Sequence, residues 1–519
     1  MAAMKSVLAL MMMGVLVVVP MTALAGELTA GDVDDNLQFD YYLDYLAHVL
    51  QDNHELPALT VNDRVIIKVV DGDGLPVSHA RVVLTADGAN CSLIESYTNS
   101  AGTFYFFPTH DGAGSQTRFT AVARPPSNDT VNASVAFDTG QLSSKRTVVL
   151  KIPGYSTERP LSLDIVFTID VTGSMSDELN YLTKEFRNII SDITAGFPNV
   201  SMRFGLVVYR DHGDRFVVKP YEFTDSLQTM QDQLAAQKAD GGGDYEEAVD
   251  EALETAVGFP WREGNTVRMV FHVGDAPPHD ELLSATLKPV EKARRQGVQI
   301  FTLSGSGVLD IAEYMMRAEA LLTTGRYCFL TDDSGIGGGH EKPHICCYVV
   351  TLLDDLVYRI VASELAGYRI EPDQAQIIRT VGNYTNGTCG EEEEGCGNVS
   401  SGTSSAPSTP SSTSPPAPSS TPSSTPSTTP VIGGDTPAGG SSPPSSDYAS
   451  FADPRSSEPS LTATEGSERY DSASSPPDAE SKHASGASTT PGMTGPLAGA
   501  AVVLVIGLKL LAGRHKKKD

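Results

Sequence analysis

The sequence predicts an α/β fold: a doubly wound domain with a mostly parallel sheet, preceded by a small β-sandwich and followed by a disordered stalk and one transmembrane helix. Three observations support this prediction. Short apolar runs alternate with amphipathic helical patterns in residues 160–370. Apolar residues recur with a period of two in residues 60–153, and Ser, Thr, Pro and Gly dominate residues 400–491.

The chain begins with a segment typical of secretory signal peptides. Residues 1–25 combine Lys5, an apolar run from Val7 to Val19 and the small-residue sequence Ala23-Leu24-Ala25, which suits signal peptidase. We therefore predict that the protein is exported and that its folded part is extracellular.

Residues 31–56 and 60–153 form the predicted N-terminal part of the fold. In the first stretch apolar side chains recur at helical spacing, which indicates an amphipathic helix packed on the segment that follows. In the second, short alternating runs are separated by turn sequences such as Asp71-Gly72-Asp73-Gly74, which favours a β-sandwich. Its predicted strands are Val65–Val70, Ala80–Leu84, Thr103–Phe107, Phe119–Ala123, Ser134–Phe137 and Thr147–Ile152.

One stretch of this sandwich has a recognisable pattern. The sequence from Lys68 to Val77, together with Ala80-Arg81-Val82 and the stretch from Ser100 to Phe104, resembles the carboxypeptidase regulatory-like sandwich module. The resemblance implies a spacer or binding module, so we expect no catalytic group in residues 60–153.

Residues 160–370 alternate between the patterns of buried strands and helices. Continuous apolar runs are typical of strands inside a parallel sheet, and in such a sheet the functional site lies at the carboxyl ends of the strands. Strands are predicted at Leu163–Ile169, Phe204–Tyr209, Val267–Val273, Val298–Leu303 and Tyr327–Leu330, with an antiparallel edge at Phe216–Phe223. Helices are predicted at residues 175–193, Ala248–Val257 and Val350–Ala366.

Polar residues concentrate where these strands end. Asp170, Thr172 and Ser174 follow the first strand of the domain. Asp244 follows three glycines before a predicted helix, and Asp275 ends another strand. Carboxylate and hydroxyl oxygens without a soft ligand favour a hard cation, Mg²⁺, Ca²⁺ or Mn²⁺, over zinc. Repulsion among the three aspartates would make the site unfavourable without a cation.

These residues resemble the metal-ion-dependent adhesion site of von Willebrand factor A (VWA) domains. Asp170, Thr172 and Ser174 match the Asp-x-Ser/Thr-x-Ser signature, and Asp275 matches the distal aspartate. The surrounding sequence is similar to the hemicentin-like and α-kinase-linked branch of the family. The resemblance implies that residues 160–370 form a Rossmann-like VWA domain that binds a divalent cation.

The second loop departs from the commonest family pattern. Its glycines lead to Asp244, where many VWA domains have a threonine. The branch usually has a proline before the residue that corresponds to Glu247, and Glu246 stands there instead. We predict Asp244 as the direct or water-mediated ligand. Glu247 is the reserve ligand, and its extra carboxylate could favour Ca²⁺ at a neighbouring site.

The resemblance implies a role in recognition rather than catalysis. An Asp or Glu of a protein or extracellular-matrix ligand would complete the coordination sphere, and a shift of the final helix is the family's usual device for changing affinity. We therefore predict a type I membrane protein of the cell surface that is not an enzyme and takes no small-molecule substrate. With 37 basic against 65 acidic residues, a net charge of −28 argues against nucleic acid as a partner.

Alternatives stay open for the metal. It could be purely structural in an envelope or matrix scaffold, or it could activate water in a metal-dependent hydrolase. The hydrolase is disfavoured because the sequence has no nucleophile–base set, no Gly-x-Ser-x-Gly, no His-Glu-x-x-His and no phosphate loop. A zinc site at His340 and His344 is a weaker alternative. His272 is expected to be a buried histidine with satisfied hydrogen bonds, and Trp261 a packing residue rather than a binding hot spot.

An exported chain permits disulfides and glycosylation. Cys389 and Cys396 flank an acidic segment and could close a small loop, while Cys328 could pair with Cys346 or Cys347. Pairing does not follow from sequence alone. Asn-x-Ser/Thr sequons, which are candidate glycosylation sites, occur at Asn90, Asn128, Asn132, Asn199, Asn383, Asn386 and Asn398.

The C-terminal part of the chain predicts a tether. After a Cys-containing linker at residues 371–399, residues 400–491 have too few aliphatic side chains to form a core, which indicates a mucin-like stalk. Residues 495–513 are nearly all apolar, with Lys509 near one end, and precede the basic tail 514–519, which favours a single membrane span with a cytoplasmic tail. A removed lipid-anchor signal is the alternative, and the basic end argues against it.

Overall fold

The computed structural model describes residues 27–53, 55–126 and 130–390. The predicted signal peptide, stalk, membrane span and cytoplasmic tail lie outside these residues, as do Cys396, Asn128 and Asn398. Within the described ranges, no helix has both the length and the apolar character that crossing a bilayer requires.

The elements follow one another in two groups along the chain. The first group is β1 (Thr29–Val33), α1 (Phe39–Asp52), β2 (Val65–Val70), β3 (Arg81–Ala86), β4 (Ile94–Tyr97), β5 (Thr103–Phe106), β6 (Arg118–Arg124), β7 (Ala133–Asp138) and β8 (Thr147–Lys151). The second is β9 (Ser162–Asp170), α2 (Leu179–Gly196), β10 (Ser201–Tyr209), β11 (Val218–Thr224), α3 (Leu227–Ala235), α4 (Val249–Val257), β12 (Thr266–Gly274), α5 (Leu283–Gln296), β13 (Gln299–Ser304), α6 (Asp310–Thr323), β14 (Tyr327–Leu330), β15 (Tyr348–Leu352), α7 (Leu353–Ala366), β16 (Arg379–Val381), β17 (Tyr384–Thr385) and β18 (Thr388–Cys389).

A large mixed sheet organises the second group. In the described residues its strand order is β11-β10-β9-β12-β13-β14-β1-β15-β16. The middle strands β10, β9, β12, β13 and β14 are parallel, whereas β11 pairs antiparallel at the edge, as the sequence predicts. Every residue of β12 is buried, because helices cover both faces of the sheet. The fold is therefore a mixed α/β arrangement with a parallel-rich centre.

Two apolar cores flank this sheet, and alternate strand residues supply them. In β9, Ile165, Phe167 and Ile169 face the core that also holds residues of α2 and α7. Val166 faces the opposite core, which holds residues of α4, α5 and α6. The period of two along a strand thus divides a continuous apolar run between two helical layers.

Three strands of the sheet, β1, β15 and β16, differ from the sequence prediction, and β16 falls in the predicted linker. β1 was not predicted, and it lies antiparallel between β14 and β15. The helix predicted from Val350 begins at Leu353, because Val350 and Thr351 pair with Gly31 and Ala30 of β1. β-Branched side chains suit this buried strand better than a helix.

Helix α1 packs both on the α/β domain and on the segment that follows it. Tyr42 and Tyr45 share a core with Tyr314 and Met315 of α6. Contact with the following segment is made by Phe39, whose ring stacks on Phe107 with centroids 6.5 Å apart.

Two small sheets, β5-β2-β8 and β4-β3-β6-β7, enclose a common core in the first group. This part is joined to α5 through buried groups: Arg294 forms an ion pair with Asp111 and donates to the carbonyl of Tyr105 at 2.8 Å. Near the same interface, Nδ1 of His79 lies 3.2 Å from Oδ1 of Asn265. The two small sheets therefore share a buried polar interface with the α/β domain.

The cysteine pairings suggested by the sequence are wrong. Cys347 is bonded to Cys389, whereas Cys328 is a buried free thiol and Cys91 an exposed one. The Cys328 side chain lies on β14 in the apolar core that also holds residues of α2 and α7. The sequons described by the structure are exposed, at Asn90, Asn132, Asn199, Asn383 and Asn386, and their glycosylation stays a prediction.

Candidate metal-binding site

The carboxyl ends of β9 and β12 lie side by side because these strands are parallel neighbours. Ile169 pairs with Val273, so the next residues of both strands emerge at the same edge of the sheet. On the other side of β9, Tyr209 at the end of β10 pairs with Asp170. Strand register therefore brings segments about 100 residues apart in sequence to one place.

A chain of hydrogen bonds joins four of the predicted site residues. The backbone N–H and the hydroxyl of Thr172 donate to Oδ1 of Asp170 at 2.8 and 2.7 Å. The Thr172 and Ser174 hydroxyl oxygens are 3.1 Å apart, and the Ser174 hydroxyl donates to Oδ1 of Asp275 at 3.1 Å. Asp170, Thr172 and Asp275 are buried while Ser174 is exposed, so the cluster meets solvent at the serine.

Glu247, the reserve candidate, lies against this cluster. Its backbone N–H donates to the carbonyl of Pro277 at 3.0 Å, and its side chain is buried. Gly242, at φ +75°, lets the second loop pass close to Glu247 and Thr172. A Cβ there would stand 3.1 Å from Oε1 of Glu247 and 3.4 Å from Cβ of Thr172. A glycine is needed at this position because few L-residues adopt that conformation.

Asp244, the first choice for the second loop, does not join the cluster. Its side chain is exposed, and among the described residues no hydrogen bond or ion pair connects it to Asp170, Thr172 or Asp275. Against the effect of burial, the hydrogen bond and charge of Asp211, and then the charge of Asp244, raise the pKa of the His279 imidazole. The structure thus places Glu247, not Asp244, beside the other candidate ligands.

The carboxyl groups of the cluster crowd one another. Burial raises the pKa of Asp170 to about 6, against the hydrogen bonds from Thr172. Burial and then the charge of Asp170 raise the pKa of Asp275 to about 7. Burial, followed by the charges of Asp170 and Asp211, raises the pKa of Glu247 to about 9. Burial and mutual repulsion therefore disfavour the charged forms of all three carboxyl groups.

The donor set fits a hard cation. Oδ2 of Asp170 and Oε2 of Glu247 are buried and accept no hydrogen bond, which is costly for a carboxylate. Carboxylate and hydroxyl oxygens are the ligands that Mg²⁺, Ca²⁺ and Mn²⁺ prefer. Across the described ranges, no three His, Cys, Asp or Glu side chains converge as a closed metal centre would. Any cation here would therefore depend on the hydroxyls of Thr172 and Ser174.

His279 and Asp211 contact each other at the edge of the site, and their pairing was not predicted from the sequence. Nε2 of His279 lies 2.6 Å from Oδ1 of Asp211, so the loop after β12 is tied to the loop after β10. The rings of His279 and His212 are 5.6 Å apart. In the sequence, these residues stand in Asp211-His212 after β10 and Pro277-Pro278-His279 after β12.

The zinc alternative is not supported by the positions of its histidines. His340 contacts Glu178 at 2.9 Å and Asp332 at 2.8 Å. His344 contacts Glu313 instead, at 3.0 Å. Each histidine is thus held by its own carboxylates, and the two do not share a common site.

One family model matches part of this chain. Residues 164–325 match the family model of the von Willebrand factor A domain. Domains of this family generally mediate protein interactions. The matched stretch contains the whole hydrogen-bonded cluster and Glu247.

Two further kinds of relative are similar to parts of the chain. A putative ariadne-like RING finger protein of Acanthamoeba polyphaga mimivirus is 29% identical over 119 residues, which is 22% of this chain and 11% of that protein's length. The crystal structure of the hypothetical protein BatB from Bacteroides thetaiotaomicron covers 39% of this chain and 98% of its own, at 13% identity and a TM-score of 0.28. An aerotolerance-related membrane protein from Bacteroides fragilis covers the same shares at 12% identity and a TM-score of 0.27.

Proposed function

We propose that this chain is a recognition protein whose VWA domain binds a divalent cation and, through it, a carboxylate of a protein or matrix ligand. Asp170, Thr172, Ser174, Asp275 and Glu247 would hold the cation. When bound, the cation supplies a positive charge with a coordination position open to an Asp or Glu of the partner. The proposal assigns no catalytic step to the chain.

The residues of the chain have separate parts in this function. Thr172 fixes the carboxylate of Asp170 through one oxygen and leaves the other without a donor. Ser174 links the first loop to Asp275 and is exposed, so it marks the side from which a partner carboxylate would approach. Glu247 adds a buried carboxyl group whose proton a cation would displace.

The observation that carries the proposal is the buried, unpartnered Oδ2 of Asp170 beside two hydroxyls and two further carboxyl groups. A buried carboxylate oxygen without a hydrogen bond is rare unless something absent from the protein satisfies it. A hard cation satisfies it with the ligand types present.

Titration of the full chain with Mn²⁺, followed by electron paramagnetic resonance, tests the cation. We expect saturable binding of one strongly held ion that EDTA removes. Weak binding unchanged by the paired substitution Asp170→Asn and Asp275→Asn would refute the site.

The competing proposal is that the cation is purely structural. Bound Mn²⁺ distinguishes a recognition site from a structural one. Water-proton relaxation counts the exchangeable waters on bound Mn²⁺. A recognition site keeps at least one such water, and an added carboxylate such as acetate should displace it and lower the relaxation rate. A coordination sphere without exchangeable water would favour the structural metal and overturn our proposal.

We further propose that the protein acts at a cell surface, with the VWA domain extracellular. The apolar residues 495–513 and the Ser/Thr/Pro-rich residues 400–491 support this placement from sequence alone. Protease treatment of intact cells that express the chain tests it, since an extracellular domain should be cleaved without lysis.

A further inference from the structure

A glycine-rich segment, Gly335–Gly339, follows β14 and leads directly to His340. Among the described residues, no acceptor receives a hydrogen bond from the backbone N–H groups of Gly337, Gly338 and Gly339. Ile336, near the start of the segment, packs at the edge of an apolar core. The segment is therefore held near its two ends rather than along its length.

The segment lies over Glu178, which precedes α2 and is fully buried. A Cβ on Gly337 would collide with Oε1 of Glu178. The same oxygen accepts the N–H of Ser306 at 3.0 Å. On the other side of this carboxyl group, a Cβ on Gly305 would stand 2.6 Å from Oε2 of Glu178 and 3.6 Å from Cβ of Asp275. The segment thus covers the flank of the candidate cation site.

His340 joins this segment to two carboxyl groups. Its Nε2 lies 2.9 Å from Oε1 of Glu178, and its Nδ1 lies 2.8 Å from Oδ1 of Asp332. The backbone N–H of His340 donates to the same oxygen of Asp332 at 3.0 Å. A neutral imidazole donates from one ring nitrogen, whereas a protonated imidazole donates from both. Only the protonated ring of His340 can therefore donate to both carboxyl groups.

The surroundings of His340 favour that protonated ring. Burial lowers the pKa of His340, but the hydrogen bonds and charges of Glu178 and Asp332 outweigh it and raise the pKa above its ordinary 6.5. The side chain of His340 is only 5% exposed, so solvent weakens its contact with the buried Glu178 little. The other charged groups of the loops around it are Asp177, Asp333, Arg379, Glu341 and Lys342. Acidic side chains therefore outnumber basic ones here.

We propose that His340 is a pH-sensitive latch that fastens the segment Gly335–Gly339 over Glu178, at the flank of the cation site. The latch is closed while the protonated ring bridges Glu178 and Asp332. Loss of the proton removes one of the two donors, and the segment is then free to lift from Glu178. The contact is complete below pH 6.5 and is lost as the pH rises through the raised pKa of His340.

The test uses a nitroxide spin label attached to the full chain through Gly339→Cys. Cys91→Ser removes the exposed free thiol, and Cys328 is buried. A Cβ at residue 339 would meet no atom within 4 Å, so the label fits without displacing the segment. Electron paramagnetic resonance in EDTA at pH 6 and pH 8.5 measures the mobility of the label. We expect its rotational correlation time to shorten by about threefold or more at the higher pH; equal mobility at both pH values overturns the inference.

His340→Gln in the labelled chain should make the segment mobile at both pH values, because glutamine does not titrate. The matched control is His344→Gln. His344 stands in the same connection between β14 and β15, but it contacts Glu313, at 3.0 Å. The effect of pH should persist in this control. An effect of pH that persists in His340→Gln, or one that disappears in His344→Gln, contradicts the latch.

A measurement on the unsubstituted chain does not depend on how the variants fold. Deuterium exchange at Cε1 of each histidine, followed across pH by mass spectrometry, gives the pKa of His340. We expect a value above 6.5, and a value at or below 6.5 overturns the inference. The latch goes beyond the proposed function and is tested without metal, so its failure leaves the cation site standing, and a chain that binds no Mn²⁺ leaves the latch standing.

Discussion

Thr172 donates both its backbone N–H and its hydroxyl to Oδ1 of Asp170, at 2.8 and 2.7 Å. Two donors on one oxygen hold the carboxylate in a single orientation. The other oxygen is buried and receives no donor. The pair thus divides the carboxylate into an oxygen that the protein uses and an oxygen left for a cation.

Replacing Asp170 with asparagine should abolish strong cation binding. Asn keeps the acceptor for Thr172 but lacks the charge that attracts the ion, so we expect Mn²⁺ affinity to fall by about 100-fold or more. Without metal the variant should melt no lower than the unsubstituted chain, because a crowded buried charge has been removed. Isothermal titration calorimetry and thermal unfolding in EDTA measure the two effects.

Asp280→Asn is the control for this prediction, since Asp280 is an exposed carboxylate shortly after Asp275. Its Mn²⁺ affinity should stay unchanged. An equal loss in both variants would mean that general charge, not the site, attracts the ion.

Substitutions of Glu247 and Asp244, the two candidate ligands of the second loop, should affect cation affinity differently. Glu247→Gln should weaken Mn²⁺ binding by about tenfold or more, because its buried carboxyl group lies with Asp170 and Asp275. Asp244→Asn should change affinity little, because this side chain is exposed and outside the cluster. The reverse order of losses in parallel titrations would restore Asp244 as the ligand.

His79 should make the stability of the fold depend on pH. Burial, and then the charge of Arg268, lower the pKa of His79 to about 3, below its ordinary 6.5. The unfolded chain therefore binds a proton that the folded chain excludes, and stability is complete above pH 6.5 and lost as pH falls toward 3. Between pH 7.5 and 5.5 the free energy of unfolding should fall by about 1.4 kcal/mol through this residue.

Urea unfolding of the full chain at the two pH values, compared with His79→Asn, checks this dependence. Asparagine tolerates the positive φ of 52° at this position and does not titrate. The exposed His48→Asn serves as the control. If His79→Asn leaves the difference between the two pH values as large as before, His79 is not its source.

The Cys347–Cys389 disulfide should stabilise the C-terminal strands β16, β17 and β18. It closes a loop of 42 residues, for which the chain-entropy model gives about 4 kcal/mol. Replacing both cysteines with serine should therefore lower the melting temperature and expose residues 379–390 to protease. Cys91→Ser removes an exposed free thiol and should have neither effect.

The parts of the fold that were predictable are those in which local pattern and burial agree. Val65–Val70 and Tyr327–Leu330 were predicted with the bounds that the structure gives, because apolar runs mark both. In the site, Asp170, Thr172, Ser174 and Asp275 come together because they end parallel strands or follow them directly, a relationship that sequence order alone implies.

Other features depend on contacts that no local pattern records. β1 has the sequence Thr-Ala-Gly-Asp-Val, which is no strand signal, and it is a strand because β14 and β15 hydrogen-bond to both of its edges. The choice between Asp244 and Glu247 was equally inaccessible, since it depends on how two glycines with positive φ turn the second loop. After α7 the chain comes back alongside β15 as β16, which brings Cys389 to Cys347.

The interior position of β1 governs which pieces of this molecule can exist alone. Ala30 pairs with Leu330 on one side and Thr351 on the other, so synthesis must proceed some 300 residues beyond β1 before its neighbours are available. A recombinant fragment limited to residues 164–325 would end before β14 and lack β1, leaving an open sheet edge that invites aggregation. Fragments intended for crystallisation or ligand screening should therefore begin before Thr29 and extend past Cys389.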